Sequence, residues 1–159
     1  MREHGIPLYT LESKRPLACF DLIGFTLPYE TLYTNALNIL DLAGIPVRSA
    51  ERDESHPVII AGGHSATNPE PMHAFIDAFV IGEGEEVIQD IINVIQKTKG
   101  EKRVVRLREL TKISGVYVPL FYETTYMEDG TVAETLPIIP EAPKSVNKRI
   151  VANCFRRPP

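Results

Sequence analysis

The sequence predicts an α/β protein in which a parallel β-sheet carries helices on both faces. Three short apolar runs, at residues 20–26, 58–61 and 78–81, have the length and composition of strands. Segments with helical apolar spacing follow the first and the third of these runs. Strands that alternate with helices are typical of parallel sheets, and 159 residues are enough for one domain with its own core.

The first part of the chain predicts a strand, a helix and a second strand. Residues 20–26 (FDLIGFT) are expected to form a buried strand. A helix follows, because apolar side chains at positions 32, 36, 37, 40 and 43 keep helical spacing, and Gly44 stands where a C-terminal cap glycine belongs. A polar loop at 49–56 then leads to the strand at 58–61.

The middle of the chain predicts a third strand and a longer helix. Asn68 followed by Pro69 is typical of a helix start, so a short helix is expected there. After the strand at 78–81, one helical face carries Val87, Ile88, Ile91, Ile92 and Ile95. Lysines near its end and Gly100 after it indicate where this helix stops.

The pattern changes after Gly100. A short helix is expected at 107–113, and residues 116–118 and 121–126 look extended. A turn at Glu128-Asp129-Gly130 predicts a hairpin with residues 131–135. We therefore expect an α/β domain over residues 1–136 that ends in a small β-hairpin region, and a proline-rich basic linker or tail over 137–159.

Composition limits the classes of function. With 43 % hydrophobic and 24 % charged residues, the chain has an ordinary soluble composition. Its net charge of −4 gives no reason to expect nucleic acid or an anionic membrane as a partner. Cys19 and Cys154 are the two cysteines, which fits a reducing cytoplasm and is too few for an iron–sulfur cluster held by three or four thiolates.

The ends of the predicted strands are the expected binding site, because ligands bind beyond the carboxyl ends of strands in open parallel sheets. Gly62 and Gly63 would let a flat ligand or a phosphate approach the backbone, and His64 and Thr67 follow them directly. Gly82, Glu83 and Gly84 follow the third strand. The alternative is that these glycines only form tight turns between strand and helix.

Known nucleotide fingerprints and catalytic patterns are incomplete. A dinucleotide motif would need glycine at position 87, where Val87 stands, and no Walker A sequence occurs. Glu85 and Glu86 are better explained as charges that complement a helix dipole than as acid–base catalysts. The four histidines form no HxH or HExxH pair, so we expect no catalytic residue and no metal site.

The run VIIAGGHSATNPEP…IDAFVIGEGEE resembles the cobalamin-binding-like domain at the N-terminus of many radical S-adenosylmethionine (SAM) proteins. The residues that carry the resemblance are Gly62, Gly63, Thr67, Pro69, Glu70, Asp77, Gly82, Glu83, Gly84 and Glu85. The preceding segment FDLIGFTLPYETLYTNALNILDLAGIP is similar to the strand and helix of one subgroup. Together with the order of strands and helices, the resemblance implies a flavodoxin-like (Rossmann-like) fold.

The resemblance implies a cobalamin-binding site, of which this sequence supplies only a part. Its residues would be Thr26, Gly62, Gly63, His64, Thr67, Gly82, Glu83 and Gly84. The Asp-x-His-x-x-Gly motif whose histidine ligates cobalt is absent, so weak binding at best is expected. The Cys-x-x-x-Cys-x-x-Cys motif of the radical core is also absent, so no iron–sulfur cluster is expected in this chain.

The resemblance also implies a role and partners. We expect an accessory domain that works beside a radical SAM core domain and is not catalytic alone. Family members have two further strands before the position of Met1, so the strand at 20–26 would have an open edge. A homodimer, or a fold-back of residues 7–12, would cover it. The alternatives are a docking module that has lost cobalamin, and a flavin- or phosphate-binding domain.

Overall fold

The computed structural model describes residues 1–151 and places a four-stranded sheet at the centre of the fold. Its strands are β1 (Leu22–Thr26), β2 (Val58–Gly62), β3 (Ala78–Val80) and β4 (Val116–Tyr117), in that order across the sheet. β1, β2 and β3 run parallel, whereas β4 runs antiparallel to β3. The predicted α/β class is confirmed, but the sheet is mostly rather than entirely parallel, because β4 is antiparallel.

Three helices cover the sheet: α1 (Tyr33–Leu42), α2 (Gly84–Lys97) and α3 (Arg103–Leu110). α3 begins four residues earlier than the sequence predicts, because its buried face includes arginines that an apolar pattern does not reveal. α2 and α3 follow each other directly, so the chain returns to the carboxyl end of β3 before β4 begins. This return explains the antiparallel direction of β4.

The core forms one apolar layer on each face of the sheet. One layer joins alternate sheet residues to α2 and α3, and its members include Val58, Ile60, Val80, Val87, Ile91, Leu107 and Leu110. The other layer joins the remaining sheet residues to α1 and to the β2–β3 connection, and its members include Ile59, Phe79, Ala36, Leu40, Ala66, Met72 and Ile76. Helices therefore lie on both faces, as the sequence predicts.

A separate two-stranded hairpin follows the sheet and confirms the predicted one. It pairs β5 (Tyr122–Tyr126) with β6 (Val132–Pro137) in antiparallel register. The Asp129 carboxylate closes the turn by accepting the backbone N–H of Thr131 at 2.9 Å. Several apolar side chains of this region are exposed, among them Tyr126, Met127, Val132, Leu136 and Ile138.

The proline-rich segment after β6 lies against the domain over the residues that the structure describes. Ala142 is buried, and the Arg149 backbone N–H donates to the Ile81 carbonyl oxygen at 2.9 Å. Cys154 and the basic end of the predicted tail lie outside the described residues. The proposed boundary at residue 136 stays a prediction.

β1 is an edge strand and is only partly buried, which differs from the buried strand expected there. The segment before it does not cover this edge, because the Leu8 N–H donates to the Leu42 carbonyl and Tyr9 pairs with Pro16. Leu8 therefore lies at the end of α1, and the described part of the chain provides no strand partner for the outer edge of β1. The homodimer stays a prediction. Within residues 1–151, no helix has the length and apolar composition that crossing a membrane requires.

Candidate functional site

A groove lies at the carboxyl ends of β1, β2 and β3, where the sequence predicts a binding site. It encloses about 490 Å³ and is bounded by these strand ends and by the first turns of α2. Six of the eight predicted site residues line it: Thr26, Gly62, Gly63, Gly82, Glu83 and Gly84. Its other walls are Gly24, Phe25, Ile60, Val80, Glu85, Val87 and Ile88.

The groove is open because glycines replace side chains on its sheet wall. Gly24 lies opposite Ile60 in the register of β1 and β2, and a Cβ atom placed on Gly24 would lie 3.6 Å from Ile60 Cγ1. This is an ordinary van der Waals distance, so the backbone does not require glycine at position 24. Gly24 was not among the residues predicted for the site, although a glycine inside a strand often marks a close approach by a ligand or another backbone.

Unlike Gly24, two of the predicted site residues must be glycine because of the backbone itself. Gly63 and Gly82 have φ angles of +100° and +114°, which L side chains rarely adopt. A Cβ atom on Gly63 would lie 2.9 Å from the Leu27 carbonyl oxygen, and one on Gly82 would overlap the backbone of Arg149. Both glycines therefore make room for the chain itself, even though both line the groove.

Glu83 links the groove to the C-terminal segment. Its backbone N–H donates to the Arg149 carbonyl oxygen at 3.0 Å, and its carboxylate accepts the N–H of Val151. The Arg149 guanidinium in turn lies 3.1 Å from an Asp90 oxygen and 3.5 Å from a Glu86 oxygen on α2. The Glu83 carboxylate is thus hydrogen-bonded to the C-terminal segment and is not free to bind a ligand in the groove.

The structure does not bring His64 and Thr67 to the groove. Thr67 Oγ1 donates to the His64 carbonyl oxygen at 2.8 Å, and both residues are exposed. Thr67 lines a separate cavity of about 240 Å³ between the sheet and the hairpin. Nearby, the Ser65 hydroxyl is buried and has no hydrogen-bond partner among residues 1–151.

A buried charge cluster occupies the opposite end of the sheet. Asp77, which is 2 % exposed, accepts hydrogen bonds from Arg52 at 3.1 Å, from Arg103 at 2.5 Å and from the Ile59 N–H at 2.7 Å. Burial lowers the pKa of Arg52, and Asp77 opposes that shift. Asp77 belongs to the motif singled out in the sequence, and its partners tie the loop before β2 to the start of β3.

A second cavity, of about 530 Å³, lies beside this cluster and not at the strand carboxyl ends. Arg52 and Arg103 line it, but their guanidinium groups are directed to Asp77 and to backbone carbonyls. Among the described residues, no group of three or more His, Cys, Asp or Glu side chains could hold a metal ion. The glycine-lined groove therefore remains the strongest candidate site.

Comparison with known proteins gives two matches. The N-terminal region of radical SAM proteins, as a family, matches residues 1–119 of this chain. An uncharacterized protein of Methanocaldococcus jannaschii is 30 % identical over 95 residues, which are 58 % of this chain and 20 % of that protein. The chain thus spans about a fifth of the length of this curated relative. No solved structure gives a significant match.

Proposed function

This chain belongs to the family of N-terminal regions of radical SAM proteins, and on that premise we propose that it is an accessory domain that holds cobalamin for a radical SAM core. One observation carries the proposal. Six residues predicted for a cofactor site converge on one groove at the strand carboxyl ends. The groove reaches the sheet backbone at Gly24 and Gly62, where no side chain fills it.

The residues of the groove suit the nucleotide tail of cobalamin better than its corrin ring. The groove encloses about 490 Å³, within the range of small-molecule pockets, and its floor is apolar at Ile60, Val80 and Val87. Its lining includes no histidine or cysteine among the residues described, so it offers cobalt neither imidazole nor thiolate. When bound, cobalamin supplies a cobalt centre for group transfer to or from a substrate.

The residues of this chain would bind and orient that tail. Thr26 provides a hydroxyl group at the end of β1, and the first turn of α2 presents backbone N–H groups from Gly84 and Glu85. N–H groups at a helix start favour a phosphate, which the tail contains. The apolar floor would exclude water from the rest of the tail.

We also propose that the sheet is flavodoxin-like. Three parallel strands lie in consecutive order, and the two connections between them pack on the same face of the sheet. After β3 the chain changes face with α2. This order and this change of face support a flavodoxin-like sheet, in which ligands bind at strand carboxyl ends.

Titration with hydroxocobalamin, followed by calorimetry and by visible absorbance, tests the cofactor proposal. We expect a Kd of roughly 100 µM for the unmodified chain, about −5.5 kcal/mol. Gly24→Leu should abolish binding, because its side chain fills the groove without a positive φ or a backbone clash. Ala133→Leu on exposed β6 is the matched control and should bind as the unmodified chain does. Equal binding by Gly24→Leu, or none by the unmodified chain, would contradict the proposal.

A docking module without a cofactor is the second candidate. The exposed apolar side chains of the hairpin favour it, because such residues on a two-stranded hairpin gain stability when a partner covers them. In that case the radical SAM core would bind the hairpin. Leu136→Lys would then weaken association with a separately produced core domain, whereas Gly24→Leu would not.

A further inference from the structure

α3 carries two buried arginines that differ in their surroundings. Arg103 and Arg106 are each 6 % exposed. The Arg103 guanidinium donates to Asp77 at 2.5 Å, to the Pro57 carbonyl at 3.2 Å and to the His56 carbonyl at 3.1 Å. The Nε atoms of both arginines are buried without a partner, but Arg106, unlike Arg103, forms no hydrogen bond or ion pair through its other guanidinium nitrogens within residues 1–151.

Arg106 lines a cavity of about 280 Å³ at the amino-terminal end of the sheet, far along the strands from the glycine-lined groove. The cavity lies between the residues that precede β1 and β2 and the turn that joins α2 to α3. Its lining consists of Phe20, Asp21, Glu54, Ser55, His56, Lys99, Gly100, Glu101 and Arg106.

The other basic side chains of this cavity already have partners. Lys99 Nζ lies 3.0 Å from an Asp21 oxygen, and His56 Nδ1 lies 2.7 Å from an Asp53 oxygen. A buried charge without a partner is strongly unfavourable, because burial removes its hydration and nothing replaces it. We propose that this cavity binds one carboxylate group and that Arg106 holds it.

The shape and charge of the cavity select a carboxylate. The planar guanidinium matches the two oxygens of a carboxylate in a bidentate pair. Asp21, Glu54 and Glu101 also line the cavity, so a doubly charged phosphate would be repelled more than a monoanion. The volume holds a small acid or the end of an aspartate or glutamate side chain from another protein segment.

Thermal unfolding of the whole chain in sodium acetate, in sodium phosphate and in sodium chloride of equal ionic strength tests this site. Acetate should raise the Tm of the unmodified chain and should not raise that of Arg106→Met. In chloride alone, Arg106→Met should be as stable as the unmodified chain or more so, because it removes an unpaired buried charge. Arg103→Met is the matched control and should be destabilised, because it breaks the pair with Asp77.

Nuclear magnetic resonance tests the same site in the unmodified chain, without relying on the folding of a variant. The Arg106 Nε–H resonance of the unmodified chain should shift with acetate and saturate, and should not shift with chloride. An acetylated Gly-Glu-Gly amide should compete, and its Gly-Gln-Gly counterpart should not. Tighter binding of the peptide than of acetate assigns the carboxylate to a protein segment. A larger response to phosphate than to acetate, or no response to either, would overturn the proposal.

Discussion

The backbone of Arg149 passes directly over Gly82, so that a Cβ atom on Gly82 would overlap the Arg149 carbonyl oxygen. Hydrogen bonds on either side fix this crossing, from the Arg149 N–H to Ile81 and from the Glu83 N–H to Arg149. Gly115 leaves room on the other side, where an added Cβ atom would lie 2.8 Å from Arg149 Cβ. The rim of the groove and the C-terminal segment are therefore one structural unit.

Substitution of Gly82 by alanine should displace this crossing segment. The residue would need a φ of +114° and would collide with the backbone of Arg149, so we expect a loss of more than about 2 kcal/mol in the free energy of unfolding. Urea denaturation measures the loss. Gly84→Ala is the matched control, because nothing lies within 4 Å of its added Cβ atom. It should change stability by less than about 1 kcal/mol.

The Asp77 cluster should be a major source of stability. Asp77→Asn leaves the buried guanidinium groups of Arg52 and Arg103 without their anion, so we expect a loss of about 3–5 kcal/mol. Asp21→Asn is the control, because it breaks only the exposed pair with Lys99, which contributes less than about 1 kcal/mol. Chemical denaturation measures both losses. A loss for Asp77→Asn that is as small as that for Asp21→Asn would show that the cluster is not a major source of stability.

Stability should fall at alkaline pH because of Tyr117. Burial, with a smaller contribution from the nearby Glu70 carboxylate, raises the pKa of Tyr117 above its ordinary value of 10.0. Unfolded chains lose this proton at lower pH than folded chains, so the stabilisation is present below pH 10 and is lost as pH rises through the folded pKa. Unfolding measured across alkaline pH should show this decline. Tyr117→Phe should remove part of it, and an unchanged profile would contradict the assignment.

The exposed edge of β1 should bring two copies of the chain together. No described strand pairs with that edge, and an open edge of this kind readily pairs with another chain. Edge-to-edge pairing of two copies gives a dimer, so light scattering after size-exclusion chromatography at about tens of micromolar should give about twice the mass of one chain. A strictly monomeric peak would exclude the homodimer.

Sequence patterns predicted the elements whose signals are local. The apolar spacing before Gly44 located α1, and the Asp129-Gly130 turn located the hairpin, because caps and turns depend on a few neighbouring residues. α3 was misplaced because Arg103 and Arg106 look solvated in sequence, and only the tertiary fold buries them.

The site was predicted in part for a related reason. Strand ends of a parallel sheet meet at one edge, so Thr26, Gly62 and Gly82 could be placed together from their positions alone. The crossing of Arg149 over Gly82 is a contact between residues far apart in the chain, and no local pattern announces it. Gly24 was overlooked because its importance depends on its pairing with Ile60 across β1 and β2.

Nuclear magnetic resonance tests most directly whether the groove at the strand carboxyl ends binds the proposed cofactor. Hydroxocobalamin is titrated into the isotope-labelled chain, and the backbone amide signals are followed. We expect the largest changes at Gly24, Gly62 and Gly84, which line the groove, and little change across the hairpin of β5 and β6. Changes confined to the hairpin, or none at saturating cofactor, would contradict the proposed binding.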